Sequence, residues 1–306
     1  MMKVNVLISH YNGSQFLREQ IESILNQKGV NVKIYIRDDG SPDDEAKNVL
    51  RLYEKHSDIK VFYGKNLGYG RSFMELVRLV PKDSEYYAFS DQDDVWKQDK
   101  LLNALNFIKG HNEPTAYSAC PTYVDINLQK TDKYYSYIDS LPYGVMSLKH
   151  ALVTHLFGLG CTMVWNKSLC QILSQGDYSK LSCGHDNLLS VLTPLVGTYL
   201  RDKKEVFYYR QHGKNIGANK GKKSIIKKIK FALKNISNPS PFLLRCFVFE
   251  QFKNWIPEKN MQLLIDSINY KNSILVKFRL LSKRLAVGLP IGVRFKFMFK
   301  VIANKY

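Results

Sequence analysis

Two periodicities alternate along the front of the chain. Val4–Ser9 is a short apolar run ending at a turn, the pattern of a buried strand. Ser14 then reads as the cap of a helix in which Phe16, Leu17, Ile21, Ile24 and Leu25 recur at helical spacing, stopped by Gly29. Val32–Ile36 is a second strand, running into Asp38-Asp39-Gly40-Ser41, and Asp43–Lys55 a second helix with Val49, Leu50 and Leu52 inward. Lys60–Tyr63 is a third strand, Tyr69–Leu79 a third helix, and Tyr86–Phe89 a fourth strand running into Ser90-Asp91-Gln92-Asp93-Asp94. Strands and helices alternating through short links predict an α/β fold, with a mostly parallel sheet flanked by helices and joined by right-handed crossovers. Ligands of such sheets collect beyond the carboxyl ends of the strands. The polar clusters fall there, beginning with His10, Tyr11 and Asn12.

From Pro114 to Arg210 the pattern is mixed, with short strands, Gly158–Trp165 among them, and helices near Asn166–Leu173 and Asp186–Leu195. From about Lys214 it becomes helical and basic, which divides the chain into 1–213 and 214–306. Charge sharpens that division. The net charge is +18, yet residues 1–213 hold 25 basic and 24 acidic side chains, whereas 214–306 hold 20 and 3. The front is balanced, and the tail seeks something anionic. With Lys220–Ile236 drawn as a helix, Ile225, Ile229, Ala232, Leu233 and Ile236 share one side and Lys223, Lys227, Lys230 and Lys234 the other. That pattern suits an anionic membrane surface, or a helix packed on the front domain with a solvated Lys face. Nucleic acid is the poorer partner, because the tail has no zinc-finger or RNP pattern and few aromatics among its lysines.

The five scattered cysteines form no CxxC pair, so neither a zinc site nor a disulfide framework is suggested. The start MMKVNVLISHYNG has no apolar signal core, and no stretch is apolar for the ~18 residues that a membrane span needs. The expected location is cytoplasmic.

Three clusters carry chemistry. Asp91-x-Asp93-Asp94 sets three carboxylates within four residues, which repel one another unless a cation or solvent relieves them. All-oxygen ligands favour Mg²⁺ or Mn²⁺; a solvated acidic turn before the helix that follows Trp96 is the alternative. Asp38 and Asp39 can accept hydrogen bonds from a base or ribose, but Ser41 and Pro42 also fit a helix start. Asn66-Leu67-Gly68-Tyr69-Gly70-Arg71 places two glycines before a helix, where backbone can approach an anion. The first strand-to-helix turn lacks GxGxxG, which argues against a dinucleotide-binding dehydrogenase. The same turn has no basic residues, which argues against a nucleotidyltransferase.

In their order and spacing these segments resemble glycosyltransferase family 2, whose members have the GT-A fold. The matching stretches are VLISHYNG (6–13), RDDGS (37–41), NLGYGRSF (66–73) and SDQDDVW (90–96), continuing through GLGCTMVWNKSL (158–169), GHDNLL (184–189) and YYRQHGKNIGA (208–218). The likeness covers about residues 3–218 and is nearest to bacterial rhamnosyltransferase-like members. It implies a nucleotide-sugar-binding half at about 1–112 and an acceptor half at about 113–213. A nucleotide diphosphate sugar would lie against His10, Tyr11, Asn12, Asp38, Asp39, Asn66, Gly68, Arg71 and Asp91. The metal, Mn²⁺ or Mg²⁺, would be held by Asp93, Asp94 and His212. Trp96, Gly160, Cys161 and His185 would line the sugar pocket, with Asp186 as catalytic base.

The implied activity is inverting transfer of a sugar, L-rhamnose from dTDP-rhamnose foremost, to a lipid-linked bacterial surface glycan on the inner face of the plasma membrane. A UDP-hexose or UDP-N-acetylhexosamine donor is the alternative. The chemistry asks for such parts in any case, since a single displacement needs one carboxylate to take the acceptor proton. The QxxRW signature of processive members is absent, which favours addition of one or a few sugars.

Overall fold

The structure, a computed structural model, describes residues 1–42, 44–131, 136–212, 240–282 and 287–306. β1 (Met2–His10) and β2 (Val30–Asp38) pair in parallel along their length, with His10 opposite Asp38. β3 (Ile59–Tyr63) and β4 (Tyr86–Ser90) extend the sheet in parallel on either side. The crossovers are α1 (Ser14–Leu25), α2 (Asp44–Tyr53) and α3 (Tyr69–Leu79). Val4, Val6, Leu7 and Ile8 are all fully buried, as a strand covered on both faces requires. Each of these parallel strands delivers its last residue to one edge.

Beyond β4 the sheet is mixed. In order come β5 (Val95–Trp96), α4 (Lys100–Ile108), β6 (Thr115–Val124), α5 (Ser136–Asp139), β7 (Gly144–Met146) and α6 (Leu148–Thr154). Then follow β8 (Val164–Asn166), α7 (Lys167–Leu173), α8 (His185–Val196) and β9 (Thr198–Arg210). The strand order is β3-β2-β1-β4-β8-β6-β9-β5, with β7 also on β9. β5 pairs antiparallel with β9, Val95 opposite Tyr208, which brings the end of β9 beside the acidic loop after β4.

The basic region is helical where described, as α9 (Ser240–Phe252), α10 (Glu258–Asn269), α11 (Ile274–Ser282) and α12 (Ile291–Ile302). Val248, Phe252, Leu264 and Val301 of these helices share one apolar core with Phe73 of α3 and Leu188 of α8. A second cluster fills the other face of the sheet, between β1, β2, α1 and α4. Among the described residues no helix is long and apolar enough to cross a membrane. The expected helix Lys220–Ile236 lies outside the described residues.

Four local expectations are corrected. Ser14 is the first residue of α1 rather than its cap; Gly13 holds that position, and no side chain caps the helix. Leu52 is exposed, because Ala46 and Leu50 already define the inward stripe of α2 and Leu52 lies ~200° around from Leu50. Ser41 does not start a helix; its hydroxyl serves the Asp38 turn, and α2 begins at Asp44. Gly158–Trp165 is not one strand, since Gly160–Thr162 is a 3₁₀ turn and β8 begins at Val164. A Cβ at Gly160 would sit 2.0 Å from the His185 ring, so this segment turns where only glycine fits.

Candidate active site

The first acidic pair is largely engaged in protein hydrogen bonds. Asp38 accepts from the Ser41 backbone N–H (3.1 Å) and hydroxyl (2.5 Å) and faces His10 Nδ1 at 3.1 Å. Asp39 accepts from the Leu67 and Gly68 N–H groups at 2.8 and 2.9 Å and from the Arg37 guanidinium. Arg37 also donates to Ser72 Oγ and the Lys65 carbonyl, so one buried arginine ties β2 to the glycine loop. Gly40 has φ +75°, and a Cβ there would lie 2.8 Å from the Asn66 nitrogen, which lets the two loops close on each other. Asn66 and Arg71 are exposed; Asn66 Oδ1 accepts from Gly68, and Arg71 Nε donates to the Leu67 carbonyl.

Across the edge, the Gln92 side-chain amide clasps Tyr11 both ways, accepting from its N–H at 2.9 Å and donating to its carbonyl at 3.1 Å. This fixes the β1 loop to the acidic loop, leaves the Tyr11 ring exposed and brings Asn12 to φ +47°.

The second acidic set is not saturated. Asp93 Oδ2 meets His212 Nε2 at 2.7 Å, at the end of β9. Asp94 is fully buried; its Oδ1 accepts from the Arg210 N–H at 3.2 Å, and its Oδ2 has no partner among the described residues. Ligand atoms of Asp91, Asp94 and Cys161 lie within 4.8 Å of one another.

Burial foremost, with the Asp93 charge next, pushes the Asp91 carboxyl up to about 7; the Cys161 thiol and Lys100 oppose this, and Asp186 adds to it. Burial, then Asp93 and Asp91, raises Asp94 well above the usual carboxylate range. The neighbouring cation is Lys100, held 3.3 Å above the Trp96 ring and donating to the Cys161 carbonyl at 2.6 Å. Burial brings its ammonium down to about 7, so it answers the carboxylates only in part. Burial, then the Asp91 and Asp94 charges, also raises the Cys161 thiol well above its usual range. An orphaned buried carboxylate oxygen on Asp94, with the Asp91 carboxylate within ligand distance, fits a hard divalent cation.

Asp186 stands in the first turn of α8, capped by Gly184, with Oδ1 accepting from the Asn187 N–H at 2.8 Å. Burial pushes its carboxyl up to about 6, against that hydrogen bond. Gly70 of α3 lets the two helix starts approach, since a Cβ there would lie 2.4 Å from the Cys183 carbonyl. Burial, then Asp186, Cys183 and Asp91, raises the Tyr69 phenol, so this ring stands in the field of both carboxylates.

The structure thus brings together His10, Asp38, Asp39, Asn66 and Gly68 in one cluster; of the expected metal ligands Asp93, Asp94 and His212, Asp93 pairs with His212, while Asp94 groups with Asp91 and Cys161. The remaining pocket candidates are buried. His185 packs on Phe73 and Phe89, at ring centroid distances of 4.1 and 4.5 Å, and burial brings it down to about 3, a neutral support. Trp96 and Gly160 are likewise enclosed.

Sequence reasoning missed Arg37, Tyr69, Gln92, Lys100 and Arg210. Lys100 had a signal, because it shares the inward stripe of Leu101, Ala104, Leu105 and Ile108. Nothing in the sequence announces that Gln92 clasps the Tyr11 backbone.

A parallel-strand edge with two carboxylate sets, one oriented by protein hydrogen bonds and one with an orphaned buried oxygen, defines a nucleotide-sugar transferase of the GT-A type. Residues 5–169 match the family described as Glycosyl transferase family 2, and the chain belongs to that family. It is a glycosyltransferase that uses a nucleotide-sugar donor.

The chain is 30% identical over 225 residues to the dTDP-rhamnosyl transferase RfbG of Shigella flexneri, covering 68% of this chain and 73% of that one. Its fold is similar to S. aureus TarS 1-349 in complex with UDP-GlcNAc, with TM-score 0.58 at 14% identity over 99% of this chain and 80% of that one. It is also similar to the mannosyltransferase PcManGT of Pyrobaculum calidifontis in complex with GDP-Man and Mn²⁺, with TM-score 0.51 at 16% identity over 99% of this chain and 86% of that one.

Proposed function

We propose that the chain transfers L-rhamnose from dTDP-rhamnose, with inversion, to a lipid-linked glycan acceptor in polysaccharide biosynthesis. Residues 1–213 would form the catalytic part and 214–306 the part that meets the inner face of the plasma membrane. The donor assignment leans on the likeness to a dTDP-rhamnosyl transferase. The observation that carries the mechanism is the orphaned buried oxygen of Asp94 on the edge that Asp186 also reaches, where Gly160, next to Cys161, packs on the His185 ring.

Asp39 keeps acceptor capacity beyond its three hydrogen bonds and would take the base N–H, while the Gly68 loop would lie beside the nucleotide. Asp93 and His212, with Asp91 and Asp94, would hold Mn²⁺ or Mg²⁺. That ion supplies charge neutralisation for the departing diphosphate. Asp186 would accept the proton of the acceptor hydroxyl as that oxygen attacks the anomeric carbon. At about 6 it is mostly ionised at neutral pH, yet more basic than an ordinary aspartate.

The test is a donor panel of dTDP-rhamnose, UDP-glucose, UDP-galactose and UDP-N-acetylglucosamine, with purified full chain and Mn²⁺. Release of dTDP from dTDP-rhamnose above the others, with an inverted product by NMR, is expected. Preference for a UDP-sugar would overturn the donor; pyrophosphate release or a retained anomer would overturn the mechanism.

A further inference from the structure

The last described helix has two apolar stripes where packing needs one. On α12, Val293, Phe297 and Val301 recur at i, i+4 and i+8 and turn into the core. Ile291, Phe295, Met298, Phe299 and Ile302 recur at i, i+4, i+7, i+8 and i+11, an arc of about 100° on the helix wheel. These five side chains are 45% to 68% exposed. α11 touches α12 and repeats the arrangement, with Leu280 inside and Ile274, Leu275 and Phe278 outside. Scattered exposed apolar residues need no explanation, but two adjoining helices with such stripes do.

Charge selects the occupant. Residues 271–306 hold nine basic side chains and no acidic one. Arg294 and Lys296, both exposed, flank the α12 stripe on its two sides. A second copy of this chain docking through the same face would set these cations against their own kind. An apolar floor edged by cations is instead the make-up of a helix lying in a lipid interface.

We infer that the α11–α12 face seats on an anionic bilayer, with Phe295 and Phe299 entering the acyl boundary and Arg294 and Lys296 meeting headgroup phosphates. Neither Phe belongs to the acidic site; the inference rests on and deepens the proposed meeting of residues 214–306 with a membrane, without depending on the donor.

Co-sedimentation of the full chain with phosphatidylglycerol–phosphatidylethanolamine vesicles, without nucleotide sugar, tests it. A failed outcome here therefore leaves glycosyl transfer untouched, and a failed donor panel leaves this untouched. Wild-type chain should bind these vesicles and not phosphatidylcholine vesicles. The double variant Phe295→Ser/Phe299→Ser should bind at least about tenfold more weakly, with circular dichroism unchanged. Arg294→Gln/Lys296→Gln should weaken binding to anionic vesicles without altering the apolar stripe. The inference is overturned if wild-type chain stays in the supernatant or if the folded Phe variant binds as wild type. It is equally overturned if wild type is a dimer that the Phe variant converts to monomer, because the face is then a self-interface.

Discussion

Replacing Asp186 by Asn separates a catalytic base from a helix-start residue, because the two roles predict different changes in stability and turnover. Asparagine keeps an oxygen for the Asn187 N–H, which Asp186 Oδ1 now receives at 2.8 Å. What it removes is a carboxylate that burial lifts from 3.8 to about 6. Below pH 3.8 both native and unfolded chains carry the proton, and the buried carboxyl loses nothing by ionisation. Between 3.8 and about 6 the native state holds the proton more tightly, so stability falls as pH rises. Above that window the ionised group costs the native state up to ~3 kcal/mol. Asp186→Asn should therefore melt higher than wild type at pH 8, and the difference should vanish toward pH 4. Turnover should fall by about 10²–10⁴-fold, the usual worth of a general base. In wild type, kcat/KM for the acceptor should rise with pH to half its maximum near 6, and the variant should lack that limb. Scanning calorimetry at the two pH values and an NDP-release assay across pH measure both. Wild-type turnover in the folded variant would refute the base. A variant less stable at pH 8 would refute the claim that burial of the charge is what raises this carboxyl.

Three further outcomes test the rest of the edge. Asp93→Ala, which deletes the partner of His212, should lower turnover at least about 100-fold even at saturating Mn²⁺ or Mg²⁺. Full activity of that variant, or of wild type in EDTA, would remove the metal from the mechanism. Lys100→Met keeps the apolar stem but withdraws the ammonium from Asp91, Asp94 and the Cys161 carbonyl. Native stability should fall by about 1–3 kcal/mol, and Mn²⁺ should recover part of it in a thermal melt; indifference to the ion would count against a cation site here. Gly40→Ala combines φ +75° with a 2.8 Å approach to the Asn66 nitrogen and should cost ~1–3 kcal/mol, with a raised donor KM in steady-state assays.

The first four strands were legible because each is a short apolar run closed by a turn, and the sheet places their ends side by side as that pattern requires. The second half hid its strands for physical reasons. β9 carries Asp202, Lys203, Lys204 and Glu205 in its middle, where the ladder to β6 shifts register. β6 contains Pro121, which cannot donate to a ladder and reads as a strand breaker, yet a bulge at Cys120–Pro121 absorbs it. The clustering of carboxylates was visible in one dimension. Their division into a hydrogen-bonded pair and an unsatisfied set was not, because it depends on Arg210 and a glycine loop arriving from distant segments.

That division argues for how the site works. Asp38 and Asp39 each receive three polar contacts, so their orientation is set before any ligand arrives and their remaining capacity is small and directed. Such groups discriminate between ligands, because a partner must bring a donor to the one place still open. Asp91, half-buried, and Asp94, fully buried, have the opposite character, both raised by burial and then the Asp93 charge and answered by a lysine whose own charge burial weakens. Such a set holds protons that a bound cation would displace. Ion binding would then be coupled to loop order at the end of β9, because Asp94 is hydrogen-bonded to the Arg210 backbone and Asp93 to His212. Removing the ion should consequently loosen Arg210 and His212 before it disturbs Asp39, an order that hydrogen exchange with and without EDTA can read.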